Sequence, residues 1–276
     1  MIRKLAPIAL AIASAVIAPA AFAQSAGTWT VGIGAHNVAP DGNNGTIAAR
    51  SLDQGNAAGI YGVGTTLVAT NSGSIGAQSV QGNVLGTLLY GDSVLLSNTA
   101  GDITATTTGG QAVGAQLIST ASSTFDSAAG SVVSAASQTG VAFGVYAISD
   151  VAAGTVITTS AGDVLATSVD GTATGIFGSA FTVNVGTTGN VAATSTAANA
   201  VGVDVTGHAA AVNAGGGSIA ATSDAAQAIG IRGQGDGAAG NSVAVTNAAA
   251  VTATSNAADA FGISILNAEA AQASNS

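Results

Sequence analysis

The sequence predicts an all-β chain folded as a parallel β-solenoid of about eight coils, with roughly 29 residues in each coil. Two observations lead to this fold class. A unit of the form Gly-x-(Ile/Val)-x-Ala-x-(Ser/Thr) recurs along most of the chain, and a second glycine follows 13 or 14 residues into every unit. Between these glycines, small or β-branched apolar residues alternate with polar ones, as they do in strands.

The first strand of each unit follows from three of its positions. The units begin 27 to 32 positions apart, at Gly45, Gly73, Gly101, Gly130, Gly162, Gly189, Gly217 and Ala249. Two residues later stand Ile47, Ile75, Ile103, Val132, Val164, Val191, Ile219 and Val251, and two further on stands Ala in seven units and Ser134 in the fourth. A step of two places both positions on one face of a strand, and the preference for Ala predicts a narrow, buried interior.

The second glycine predicts a bend. It stands at Gly59, Gly86, Gly114, Gly144, Gly175, Gly202, Gly230 and Gly262. Apolar residues flank it out of strict alternation, which is typical of a corner or bulge. A third alternating segment, such as residues 181–185, closes most units, so each unit predicts three short strands and three corners. One alternative stays open, a tighter roll whose coil is the half unit, as in the heads of trimeric autotransporter adhesins.

The chain divides into four segments. We expect a signal peptide at 1–23, an N-terminal capping strand and turn at 24–44, the solenoid repeats at 45–267 and a disordered tail at 268–276. The signal peptide combines Arg3 and Lys4 with an apolar stretch at 5–17 and a small-x-small cleavage site at 21–23. Cleavage before Gln24 leaves two arginines against 13 acidic residues, a net charge of −11.

Composition excludes several classes of protein. The chain has no cysteine, which excludes a disulfide scaffold, a thiolate metal site and a cysteine nucleophile. No apolar run after residue 23 is long enough for a transmembrane helix. The acidic balance argues against a nucleic-acid partner, because such a partner requires a basic surface.

Two stretches carry a resemblance to a known class of exported proteins. Residues 101–106 (Gly-Asp-Ile-Thr-Ala-Thr) and 226–231 (Ala-Gln-Ala-Ile-Gly-Ile) resemble the repeats of bacterial autotransporter-type passengers, and the resemblance covers residues 44–267. It implies a right-handed parallel β-helix on a Gram-negative surface, commonly acting in adhesion. The chain departs from the complete pattern, because it ends at Ser276 without a translocator barrel. Secretion with a separate outer-membrane translocator, a fragment of a longer chain, or a location other than the surface would each account for this.

A second resemblance is local. Residues 26–40 are similar to the first strand of OmpW-type outer-membrane proteins, with Trp29, Val31 and Ile33 alternating. Nothing after about Ala48 continues that pattern, and aromatic residues are too few for the girdles of a membrane barrel. We therefore expect a strand that caps the first coil, with an OmpW-like outer-membrane β-barrel as the alternative.

No residue is assigned as catalytic, cofactor-binding or metal-ligating, and no cofactor is expected. Asp102 and Asp163 fall in one column with Ser131 between them, an arrangement more typical of a solvated corner than of acid–base catalysis. His208 lies four residues from Asp204, too little for a ligand set.

Two further patterns are interpreted as structural. Residues 233–237 (Gly-Gln-Gly-Asp-Gly) are interpreted as a loop insertion, and 41–45 as a turn. A column rich in amides, three residues before the second glycine, predicts a hydrogen-bonded ladder along the rod: Asn56, Asn83, Gln111, Val141, Thr172, Asn199, Gln227 and Asp259.

These patterns together predict a non-enzymatic structural or adhesin-like β-solenoid. We expect export through the inner membrane to the cell surface, the outer membrane or the extracellular space. The expected partners are a separate translocator and a ligand on a host or neighbouring cell. A polysaccharide-acting β-helix enzyme is a less favoured alternative, because it would need acids and basic residues clustered on one flank, and only Arg50 and Arg232 remain after cleavage.

Overall fold

The computed structural model describes residues 29–36, 43–51 and 55–276. The predicted signal peptide, residues 1–23, lies outside these ranges. Regular structure in the described part consists of 23 strands: β1 (Trp29–His36), β2 (Thr46–Ser51), β3 (Asn56–Val63), β4 (Thr66–Asn71), β5 (Ser74–Ser79), β6 (Val84–Asn98), β7 (Asp102–Thr107), β8 (Ala112–Ser127), β9 (Val132–Ser137), β10 (Ala142–Ser149), β11 (Thr155–Ser160), β12 (Asp163–Ser168), β13 (Ala173–Ser179), β14 (Thr182–Thr187), β15 (Val191–Ser195), β16 (Ala200–Gly207), β17 (Ala209–Ala214), β18 (Ser218–Ser223), β19 (Ala228–Gly235), β20 (Ser242–Asn247), β21 (Ala250–Ser255), β22 (Ala260–Leu266) and β23 (Ala270–Asn275).

The strands stack in two sheets, and each strand pairs in parallel with its equivalent in the next coil. The first strands of the coils form an eight-stranded sheet in the order β2-β5-β7-β9-β12-β15-β18-β21. The second and third strands share a 15-stranded sheet, because β6 and β8 run through the corner without a break. The chain is therefore a parallel β-solenoid of about eight turns with a repeat of about 28 residues, which confirms the predicted fold class.

Glycine and β-branched residues meet across the narrow interior. The β-branched residues of the first strands are buried in the first seven coils, and Ile103, Val164 and Ile219 are fully so. From the second coil onward, each faces the second glycine of the preceding coil. A Cβ atom built on that glycine would fall within 2.3 to 2.6 Å of a side-chain methyl group at Gly59, Gly86, Gly114, Gly144, Gly175, Gly202 and Gly230. Such a distance excludes any larger residue without a shift of the backbone. Alanine columns from the first and second strands pack together beside this contact.

The fourth coil corrects one detail of the predicted register. The buried columns contain Val133 and Ala135 rather than Val132 and Ser134. Val133 pairs in register with Ile103 of the preceding coil and with Val164 of the next one. Buried Ser131 takes the place of the first glycine, and Gly130 lies in a turn with φ of +84°. With this shift, the Ala column is complete in all eight coils.

A column of hydroxyl groups fixes the corner after each first strand. Ser79 donates a hydrogen bond to the carbonyl of Gly55 in the preceding coil and accepts one from the amide of Gly82. Ser195 repeats this pattern with the carbonyl of Gly171 and the amide of Ala198. Equivalent donors follow in most coils: Thr107, Ser137, Ser168, Ser223 and Ser255. The hydroxyl preference seen in the sequence therefore satisfies buried backbone groups between coils.

Both ends of the solenoid carry strands. At the first end β1 pairs in parallel with β3, in the segment where a capping strand was expected. At the other end β23 pairs with β20 over residues 270–275. The expectation of a disordered tail at 268–276 is therefore wrong for these residues, because they complete the eighth coil.

Candidate functional site: the outer face of the second strands

The bend at the second glycine turns outer side chains toward each other. Phe143 directly precedes Gly144 and Tyr146 follows it by two residues, so strict alternation would place the two rings on opposite faces. Instead their centroids lie 5.1 Å apart with an interplanar angle of 71°. The strand therefore bends outward around the glycine, as the sequence predicted.

This bend creates an apolar cluster on the outside of the solenoid, separate from the interior. We call it the aromatic face. It consists of Ala58, Tyr61, Leu85, Leu88, Tyr90, Val113, Ile118, Val141, Phe143, Tyr146, Ile148 and Phe177. The face runs along the second strands from β3 to β13, and five of its members are aromatic. It thus collects much of the aromatic content of a chain that is only 4 % aromatic.

The rings at the middle of the aromatic face pack in a defined geometry. Tyr146 and Phe177 stack with centroids 5.0 Å apart and an interplanar angle of 12°. Phe143 contacts Phe177 edge-on at 6.0 Å. Burial raises the pKa of the Tyr146 hydroxyl well above its ordinary value and also raises the pKa of Tyr61. Both hydroxyls therefore stay protonated at neutral pH.

One buried polar group beside this face has no hydrogen-bond partner among the described residues. Gln116 pairs in register with Leu88 on one side and with Tyr146 on the other, and it is 1 % exposed. Its Nε2 atom makes no hydrogen bond within the described residues. A buried amide donor without an acceptor costs free energy, so Gln116 is an unfavourable residue at this position between Leu88 and Tyr146.

In the coils beyond the aromatic face, charged residues occupy the strand position that corresponds to Gln116. Phe177 is followed in register by Asp204 and then by Arg232. The Arg232 Nε atom donates to Asp204 Oδ1 at 2.8 Å, and its Nη2 atom donates to Asp204 Oδ2 in a short second contact. The hydrogen bond to Asp204 raises the pKa of Arg232 despite the opposing effect of burial. The pair encloses a carboxylate that is only 3 % exposed.

His208 has other partners than Asp204. Its Nδ1 atom lies 3.3 Å from Asp236 Oδ2, and its ring stacks on Phe181 with centroids 4.6 Å apart. Asp236, in the segment interpreted as a loop insertion, also accepts hydrogen bonds from the amide of Ala238 and the side chain of Asn241. Residues 29–36, 43–51 and 55–276 hold no group of three or more His, Cys, Asp or Glu that could bind a metal ion.

The two acids singled out in the sequence are not brought together. The register places Val132, not Ser131, between Asp102 and Asp163. Two strand spacings separate the carboxylates, about 10 Å. Asp163 instead accepts hydrogen bonds from the backbone and side chain of Asn190, whose own oxygen accepts from Ser218.

The predicted amide column forms hydrogen bonds of a different kind. The Asn56 side-chain oxygen accepts a hydrogen bond from the backbone amide of Asn83. In the next coil, the Asn83 side-chain oxygen accepts one from the backbone amide of Gln111. An amide-to-amide ladder lies elsewhere, at the end of the third strands, where Asn43 donates to Asn71 at 2.8 Å and Asn71 donates to Asn98 at 2.7 Å. The sequence signal for this second ladder was the spacing of these asparagines by one repeat.

The aromatic face was not identified from the sequence. Its signal was present, because aligning the units on the second glycine places Tyr61, Tyr146 and Phe177 at one position and Phe143 and Phe261 at another. The bend that unites these two positions on one face appears only in the folded chain.

Within the described ranges, no helix is long and apolar enough to cross a membrane. When this chain was compared with models of protein families, with curated proteins and with solved structures, nothing matched it. The fold alone therefore defines its class, a parallel β-solenoid repeat protein.

Proposed function

We propose that this chain is a non-enzymatic, adhesin-like solenoid, exported and displayed at the cell surface, that binds its ligand on the aromatic face. The observation that carries the proposal is the cluster of five aromatic side chains on the outside of the stack, of which Tyr61, Tyr90 and Phe177 are only half-buried. Aromatic rings with a nearby polar group are typical of binding surfaces. The ligand is a molecule on a host or neighbouring cell that packs against the open parts of these rings.

The solenoid supports the ligand without chemistry of its own. Tyr61, Tyr90 and Phe177 are half-buried, so each ring is held by its neighbours and keeps part of its surface open. The interior behind them is a continuous cluster of buried apolar residues, which supports their backbone. Binding therefore requires little ordering of the protein.

Exchange of Phe177 for alanine tests the binding proposal. Phe177→Ala removes a half-buried ring that stacks on Tyr146, and thermal unfolding checks that the variant remains folded. We expect adhesion of cells that display the chain to fall by about fivefold or more, because aromatic side chains carry much of the binding energy of such surfaces.

Phe181→Ala provides the matched control. Phe181 is 41 % exposed and lies outside the aromatic face, and the same exchange there leaves adhesion unchanged. Equal adhesion by the wild type and both variants would exclude the aromatic face as the binding surface.

Export is tested separately. The N-terminal sequence supports cleavage before Gln24, so the intact mass of the protein at the surface corresponds to residues 24–276. Protease treatment of whole cells then releases β-rich material. An exported protein that retains Arg3 and Lys4, or a chain protected from protease in intact cells, would contradict the proposal. A separate translocator predicts that display is lost when that partner is absent.

A further inference from the structure

The last coil presents a complete but unpaired set of strand edges. In the described part of the chain, β21, β22 and β23 each pair on one side only. Interior positions that are fully buried elsewhere are partly open here, since Val251 is half-buried whereas Ile219 of the preceding coil is 0 % exposed. Phe261 and Leu266 on β22 are 42 % and 47 % exposed. Such an edge is a template for another strand.

The opposite end offers a strand with the matching pattern. The second-glycine column extends from Gly32 on β1 to Gly262 on β22, because Gly32 pairs in register with Gly59 and Gly230 with Gly262. A Cβ atom at each earlier glycine of this column would lie 2.4 to 2.7 Å from the carbonyl oxygen of the next one, whereas nothing lies within 4 Å of a Cβ atom at Gly262. The space beside Gly262 is therefore shaped for another glycine strand.

The amide ladder has a direction that also matches the two ends. Asn43 donates to Asn71, Asn71 donates to Asn98, and at the other end Asn247 donates to Asn275 at 2.6 Å. Asn43 and Asn275 occupy the first and last positions of one inward column. In the next step of this pattern, the Asn275 amide would donate to the Asn43 oxygen of a following coil.

From these matches we infer that a second copy of this chain stacks head to tail on the eighth coil. β1 of one copy pairs in parallel with β22 of the other, Gly32 lies on Gly262, and Asn275 donates to Asn43. Because the two contacting surfaces differ, the contact is heterologous, and repeated stacking of a rod gives a filament rather than a closed ring.

Sedimentation velocity on protein purified after export tests this inference. The wild type forms elongated oligomers whose size increases with protein concentration. Residues 24–276 carry a net charge of −11, so the copies repel one another and added salt strengthens their association. A wild type that stays monomeric over the accessible concentrations and salt would overturn the inference.

Two edge variants test the geometry without disturbing the single chain. Gly262→Val adds a side chain into open space in the monomer but directly against Gly32 of the next copy. Asn275→Asp keeps the acceptor for Asn247 and removes the outgoing donor. We expect each to weaken association about tenfold or more and to leave thermal unfolding of the monomer unchanged.

Gly76→Val is the matched control. Gly76 lies on the outer side of β5, where an added Cβ atom meets ordinary contact distances of 3.6 Å and more, so self-association is kept. Association that persists in both edge variants would show that the copies meet elsewhere.

Discussion

Gly175 on β13 and Val191 on β15 are in contact across the interior so closely that a Cβ atom at Gly175 would lie 2.4 Å from Cγ1 of Val191. The same atom would lie 2.5 Å from the carbonyl oxygen of Gly202 in the next coil. The relationship recurs in successive coils, which explains why glycine and a β-branched residue persist in a chain of otherwise varied sequence. The two residue types are the two sides of one contact.

Substitution of this glycine is predicted to destabilise the fold. Gly175→Ala forces the backbone or Val191 to move, and we expect a loss of about 1 to 3 kcal/mol in the free energy of unfolding. Gly76→Ala has room for its methyl group and changes stability little. Denaturant unfolding of both variants measures the difference. Equal stability of the two would show that the interior is wider than described.

The inward and outward faces of β18 are predicted to respond differently to charge. Ile219 is fully buried, so Ile219→Asp places an unpaired carboxylate in the interior and costs more than about 4 kcal/mol. Thr222 points outward and is half-buried, so Thr222→Asp is mild. Thermal unfolding followed by circular dichroism compares them. Similar midpoints would mean that the faces are assigned wrongly.

The hydroxyl column is predicted to contribute to stability at each corner. Ser195→Ala leaves the carbonyl of Gly171 and the amide of Ala198 without their buried partner, which costs about 1 to 3 kcal/mol. Thr194→Ala, on the exposed side of the same strand, costs much less. Denaturant midpoints report both values, and a neutral Ser195→Ala would show that water replaces the hydroxyl.

We predict that Arg232 stabilises the fold, because it pairs with the buried carboxylate of Asp204. Arg232→Gln leaves that carboxylate without its charged partner, and we expect a loss of about 2 to 3 kcal/mol, less than for a fully buried pair. The reason for the smaller value is that the Arg232 side chain is 30 % exposed. Arg50→Gln, at an exposed position of β2, removes the same charge without this effect. Equal unfolding free energies for the two variants would contradict the structural role of the pair.

The architecture could be predicted because its determinants repeat. Two glycines, a β-branched residue and an alanine recur at fixed offsets, and each offset maps directly onto a strand or a corner. The register of the fourth coil could not be predicted. Gly130 matches the repeat pattern but lies in a turn, and Ser131 occupies the position that the first glycine has in other coils.

Features that depend on contacts between coils were beyond the sequence. The aromatic face joins Phe143 to Tyr146 through a bend that breaks the alternation of the strand. Likewise β23 contains no β-branched residue, and its pairing with β20 defines it as a strand.

Deletion of a whole coil tests the three-strand repeat most directly. Removing residues 162–188 takes out β12, β13 and β14 and joins Ala161 to Gly189, so every column stays in register. Removing residues 162–174 takes out β12, the following corner and the first two residues of β13. It joins Ala161 to Gly175, which stacks a second strand where a first strand belongs. The measurement is the thermal unfolding midpoint of the two deletion variants. The three-strand coil predicts a cooperative transition near that of the wild type for the first variant, with a rod shorter by about 4.8 Å, and a sharply lower midpoint for the second. Equal midpoints would contradict it and would favour a coil of half the length.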